Sequence, residues 1–262
     1  GTKVQVTGSD NLVDLIECRV EGSTLIVNMK PHTNISYGKA GRLKVLVSSP
    51  SLRSAFLQGS GDIYLGNLKA EELEVSLAGS GDIVAGDVTC NGDFSALLKG
   101  SGDIDVKGQI RAKSVSLTLQ GSGDLNVVGV TGSEISAMLQ GSGDLKVRSA
   151  YTTSTVTAKL SGSGDMDVLG IRANNVAAQL AGSGDMTLSG STRDATLVLN
   201  RSGELNARKL DAENVTARVN GSGDITCVAT KTLVTNIQGS GEVSYKGNPS
   251  VRSTGKNHLN RL

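Results

Sequence analysis

The residues of this chain whose type and spacing could do chemistry are carboxylates that recur about every twenty positions. Asp62, Asp82, Asp103, Asp124, Asp144, Asp165, Asp185 and Asp224 each close a Gly-Ser-Gly-Asp tetrapeptide. Glu204 and Glu242 hold the same place in Arg201-Ser202-Gly203-Glu204 and Gly239-Ser240-Gly241-Glu242. Successive acids lie 20, 21, 21, 20, 21, 20, 19, 20 and 18 positions apart. If each tetrapeptide turns a corner and the corners stack ~4.8 Å apart, neighbouring carboxylates repel by about 0.9 kcal/mol even at the dielectric of water. Amide donors, shifted protonation or bound cations would each relieve such a column. Bound cations would make the eight aspartates a calcium ladder, as in nonapeptide β-helices, but those carry a glycine-rich acidic motif in every nonapeptide and this chain does not. The structural reading is that the two glycines allow positive φ and close approach of coils, while Ser and Asp accept bonds from turn amides.

No other residues form a catalytic constellation. His32 and His258 lie outside the repeat and near no plausible nucleophile. Cys18, Cys90 and Cys227 are odd in number and widely spaced, which fits neither a disulfide framework nor a zinc site. Cys227 falls on an apolar ladder and Cys90 where other coils have Ala70, Ala112 or Ala173, so both read as small core residues. Cys18 is expected on the Ile16 and Val20 face of a strand. Thr152, Thr153, Thr155 and Thr157 cluster without forming the regular ladder of an ice-binding face, and Lys44, Arg53, Lys69, Lys99, Lys113 and Arg172 read as solvated positions. With 26 basic and 25 acidic side chains and a net charge of +1, the chain has no field to gather nucleic acid. Its longest apolar runs, such as Val176 to Leu180, fall far short of the ~20 residues of a membrane span.

The elements that must position the acids follow from the same register. One position after the acid stand Ile63, Ile83, Ile104, Leu125, Leu145, Met166, Met186, Leu205, Ile225 and Val243; five before it stand Leu57, Leu77, Leu98, Leu119, Leu139, Leu160, Leu180, Leu199, Val219 and Ile237. Polar residues such as Asp105, Asn126, Lys146 and Asp167 alternate with them, the period of two expected of strands with one face buried. The 34 glycines, 3 prolines and 2% aromatics describe a turn-rich β protein with a thin aliphatic core. The expected fold is all-β: a right-handed parallel β-helix (β-solenoid) of about ten ~20-residue coils, each with two short strands and at least two corners. Residues 1–52 lack the repeat but hold strand-like runs at Val4 to Val6, Leu12 to Val20, Leu25 to Met29 and Leu43 to Val47, with turns at Glu21-Gly22-Ser23 and Gly38 to Gly41. They read as an N-terminal β cap continuous with the solenoid, which occupies 53–247 and is followed by a polar, partly disordered tail over 248–262. The start at Gly1, without Met or a hydrophobic leader, is a mature terminus or a cut within a longer protein.

Serial Gly-Ser-Gly-Asp corners followed by Ile, Leu or Met, a strand-rich lead of Gly41-Arg42-Leu43-Lys44-Val45-Leu46-Val47 and Ser49-Pro50-Ser51-Leu52, and a closing Tyr245-Lys246-Gly247-Asn248-Pro249 resemble the putative auto-transporter adhesin, head GIN domain family. The resemblance covers nearly the whole chain; Arg201, Glu204 and Glu242 depart from its motif. It implies an exported bacterial β-helix made with a signal peptide and resident at the cell surface, outer membrane or periplasm. Three functional readings follow. The first is a non-enzymatic, adhesin-like binding module whose repetitive face contacts a protein or glycan of the envelope or host surface. The second is a structural or envelope-sensing periplasmic scaffold. The third is a polysaccharide-active enzyme, which would need a local cluster of carboxylates and bases that breaks the repeat. No cofactor other than calcium enters any of them.

Overall fold

The computed structural model describes residues 2–8, 10–31, 43–255 and 258–262, which fall into two compact units, 1–51 and 52–262. In the first unit, Lys3–Thr7 pairs antiparallel with Lys44–Ser48, and Ile16–Glu21 forms a hairpin with Thr24–Met29. Gly22 turns that hairpin at a φ of 61°, in the left-handed region where a glycine carries no penalty. The expected strand from Leu12 begins later than its apolar pattern suggests, because Asp10–Val13 closes one helical turn first. The expected turn at Gly38 to Gly41 lies outside the described residues.

The second unit is a parallel β-solenoid of about ten turns of ~20 residues, built as one continuous sheet that winds on itself. Its middle coils have three sides where the apolar pattern suggested two. A long strand such as Leu73–Leu77 leads into the Gly-Ser-Gly-Asp corner, then come a short strand, Ile83–Ala85, and a second short strand, Val88–Cys90. Every pairing in this unit is parallel, with like residues in register. Leu77, Leu98, Leu119, Leu139, Leu160, Leu180 and Leu199 therefore stack as one column at 0–1% exposure. Burying each such side chain stabilises the fold by about 1.5–3 kcal/mol, the term that offsets the ordering of the coils.

Coils of 18 to 21 residues stay in register because the length differences are absorbed at two bends, one between the short strands and one before the long strand. The pairing shifts between Val106 and Gln109, between Val168 and Ile171 and between Thr187 and Ser189, at the bend joining the two short strands. The long strand and the corner remain invariant. Residues 248–262, expected as a polar tail, carry two further strands: Ser250–Thr254 and Leu259–Arg261 pair parallel onto the preceding coil. At the other end the apolar residues of the first coil, Leu57, Ile63, Leu65 and Leu68, are only half-buried.

From the second corner to the seventh, the second glycine leaves no room for a side chain. A Cβ at Gly143 would lie 1.9 Å from the carbonyl oxygen of Gly123 in the preceding coil, inside any van der Waals contact. Arg201 occupies the first glycine position of its coil and takes a φ of 95°, where an L side chain is strained by about 1–3 kcal/mol. Two opposite outcomes follow for thermal denaturation. Gly143→Ala lowers stability by about 1–3 kcal/mol through the backbone overlap, whereas Arg201→Gly raises it by about 1 kcal/mol as the strain is released.

Candidate functional site

The parallel register gathers the eight aspartates and two glutamates at one corner. Their carboxylates are tied to the backbone of the next coil. Oδ1 of Asp62 accepts the amide N–H of Asp82 at 3.1 Å, Asp82 that of Asp103 at 2.9 Å, and Asp103 that of Asp124 at 2.8 Å. The series runs on through Asp144, Asp165, Asp185 and Glu204, whose amides are accepted by Asp124, Asp144 and Asp165 and Asp185 in turn at 3.0 to 3.2 Å. It resumes where Asp224 accepts the amide of Glu242 at 2.8 Å. The break falls at Glu204: the amide of Asp224 bonds the carbonyl of Gly203 instead, and the residues around Glu204 run in plain ladder pairing with the next coil. A corner built for the short aspartate arm becomes an ordinary parallel rung at the glutamate.

Amide donors are thus one relief for the acid column, and at Asp144 a lysine is another. Lys146 lies two positions after Asp144 and holds its Oδ2 at 2.9 Å, while Lys107 holds Asp105, which lies outside the column, at 2.7 Å. The bond that Lys146 donates to Asp144 is the main reason its ammonium titrates above its ordinary range; burial opposes this, and the charges of Asp144, Asp167 and Asp124 assist. For Asp144 burial acts upward. The bond from Lys146, the amide of Asp165 and the Lys146 charge together outweigh it, leaving the carboxyl below its ordinary value. Among the described residues, no three His, Cys, Asp or Glu side chains converge to hold a metal ion.

The other sequence candidates separate. Cys90 and Cys227 are buried core rungs, and burial pushes the Cys227 thiol up to about 12, so both are poor nucleophiles. Cys18 shares the Ile16 and Val20 face of the strand Ile16–Glu21, as expected, and is exposed there: that strand is half-buried only at its first two residues. His32 lies outside the described residues; His258 is half-buried beside the last strand. Thr152 is 3% exposed and donates its hydroxyl to the carbonyl of Ser133 at 2.6 Å, a core rung that belongs to no threonine face.

The sequence reading missed two hollows on the face of the second short strand. One, of about 680 Å³, is lined by Arg148, Ser149, Tyr151, Gly170, Ile171, Arg172, Gly190 and Ser191. The other, of about 430 Å³, lies beside Arg111, Lys113, Thr131, Ser133 and Thr153 and shares Tyr151. Among the described residues, no carboxylate lines either hollow. Lys113 and Arg172, read from the sequence as solvated singly, belong to this common surface.

The amide caps predict a pH dependence with a definite sign. Because the Asp144 carboxyl is depressed in the folded state, its contribution is present above the ~3.9 of an unfolded aspartate and is lost as pH falls through the lower folded value. Asp144→Ala removes the acceptor for the Asp165 amide and lowers stability by about 1–2 kcal/mol at pH 7. Asp144→Asn keeps an acceptor oxygen and lowers it less. Melting temperatures at pH 7 and near pH 3 check this: the deficit of the alanine variant narrows in acid.

Comparison with known proteins agrees with the family that the sequence resembles. The model of the family described as putative auto-transporter adhesin, head GIN domain, matches residues 1–170 and, overlapping them, 139–249. No curated protein matches the chain. Among solved structures, a putative lipid binding protein from Parabacteroides distasonis ATCC 8503 is similar with a TM-score of 0.46 and 21% identity over 100% of this chain and 84% of its own. A putative adhesin from Bacteroides fragilis NCTC 9343 is similar with a TM-score of 0.28 and 22% identity over 100% of this chain and 79% of its own. The two family matches together span both compact units as far as the last corner and the strand that follows it, and the chain belongs to the putative auto-transporter adhesin, head GIN domain family.

Proposed function

We propose that this chain is a non-enzymatic binding module of an exported bacterial envelope protein, in which the solenoid presents a fixed array of side chains to an extended partner at the cell surface. The observation that carries the reading is the unbroken register of the outward rows. On the long-strand face, Ser95, Ser116, Ser136, Thr157, Ala177 and Thr196 follow one another coil by coil, and Leu97, Thr118, Met138, Lys159, Gln179 and Val198 run beside them. Such a face offers many weak contacts at one spacing, which suits adhesion by summed small contributions better than the closed cleft a small substrate requires. The description of the family as an adhesin head supports the same reading.

A membrane-impermeant amine-reactive biotin reagent tests it on intact producing cells, since Lys99 and Lys159 stand exposed on that face. The expected result is labelling of this chain while a periplasmic control protein stays unlabelled. Labelling only after the outer membrane is opened overturns the surface reading and places the module in the periplasm as a scaffold.

A further inference from the structure

We infer that the face of the second short strand is a binding groove for a linear acidic polysaccharide, held by Arg111, Lys113, Arg148 and Arg172 around Tyr151. This names the partner of the binding module proposed above and rests on that reading. One outward row crosses both hollows: Thr89, Arg111, Thr131, Tyr151, Arg172 and Ser191 pair in sequence, one per coil. At ~4.8 Å per coil the row is ~24 Å long, and Arg111 and Arg172 stand ~14 Å apart along it. Its members are cations, hydroxyls and one phenol.

Three observations select the ligand. The four cations are exposed, and no ion pair engages any of them among the described residues, whereas Lys107, Lys146, Arg193 and Lys231 all hold carboxylates. In a chain whose net charge is only +1, four unneutralised cations on one face with no lining carboxylate form a local anion-seeking surface. Tyr151, 48% exposed, forms the wall common to the two hollows, so its ring offers a stacking surface midway along a ligand that fills both. Ser149 and Ser191 on one side, and Asn91, Thr131 and Ser133 on the other, supply donors and acceptors for sugar hydroxyls.

A pyranose chain advances along its axis by about the rise of one coil. In a chain with a carboxylate on every sugar, the first and the fourth therefore fall in step with Arg111 and Arg172, three coils apart, whose guanidinium groups can each bind one in bidentate fashion. A bilayer surface fits less well, because Tyr151 is the only exposed large apolar side chain lining the hollows and none beside it would enter the acyl region.

The test uses the full 262-residue chain in affinity gel electrophoresis against polygalacturonate, with dextran as the neutral polymer and phosphatidylglycerol vesicles as the anionic membrane. Polygalacturonate is expected to retard the chain and dextran to leave it unaffected, with the retardation fading as salt screens the charges. The double variant Arg111→Ala/Arg172→Ala is expected to bind about tenfold more weakly or worse, and Tyr151→Ala to weaken binding without changing the net charge. Lys3→Ala/Lys44→Ala removes the same charge from exposed positions of the first unit and is expected to bind as the parent does. Absence of retardation, equal loss in both double variants, or capture by vesicles alone overturns the inference. A chain labelled on intact cells that ignores polygalacturonate refutes this inference alone; one that binds polygalacturonate but is shielded in the periplasm refutes the surface location alone.

Discussion

The contact on which the rest of the solenoid depends is that between the glycine backbones of successive corners. At Gly81, Gly102, Gly123, Gly143, Gly164 and Gly184 a Cβ would fall 1.9 Å from the carbonyl oxygen of the equivalent glycine one coil earlier. Without that side chain, the amides of Ser101 and Ser122 reach the carbonyls of Gly79 and Gly100 at 3.0 Å, and the corner can stack at the spacing of a β ladder. Once the corner is held at that rise, everything attached to it is in register. The leucine five residues before the acid lands on its counterpart, the apolar residue after the acid does the same, and the thin core closes as columns.

The same closeness creates the electrostatic difficulty of the acid column and also solves it. Aspartate has an arm short enough for Oδ1 to reach the amide of the next acid, so each carboxylate is hydrogen-bonded by the coil whose own acid repels it. Glutamate is one methylene too long for that geometry. At Glu204 the cap is missing and the corner changes to ordinary pairing; at Arg201, three residues earlier, the backbone adopts a positive φ without a glycine. Two of the three departures from the motif lie in this corner, and from it onward the first residue of each corner, Arg201, Gly221 and Gly239, takes a positive φ.

Much of this was legible in the sequence and some was not, for physical reasons. The long strand announces itself because it puts several residues inward in each coil, as Phe94, Ala96 and Leu98 do, and the corner because only glycine fits it. The second short strand is obscured because a coil contributes as little as one inward residue to it, Ile110, Val130, Ala150 or Ile171, just after a bend whose length varies. The amide caps could be named as one of three reliefs but not chosen, since a carboxylate and an amide twenty residues apart meet only once the rise is known. The early strand of the first unit was placed too far forward because Leu12 and Val13 continue its apolar pattern while closing a helical turn.

The hollow around Tyr151 was illegible for a more general reason. A solenoid constrains its inward rows and its corners by contact with identical neighbours, so those positions repeat and are found by repetition. Outward rows meet only solvent or a partner, and Thr89, Arg111, Thr131, Tyr151, Arg172 and Ser191 share no residue type that a period search would detect. Their common property, a stretch from Thr89 to Ser191 without a carboxylate before the row reaches Asp211, exists only after the coils are stacked. In such a fold the positions that specify the scaffold are the regular ones, and specificity for a partner has to be carried by rows whose sequence looks unpatterned.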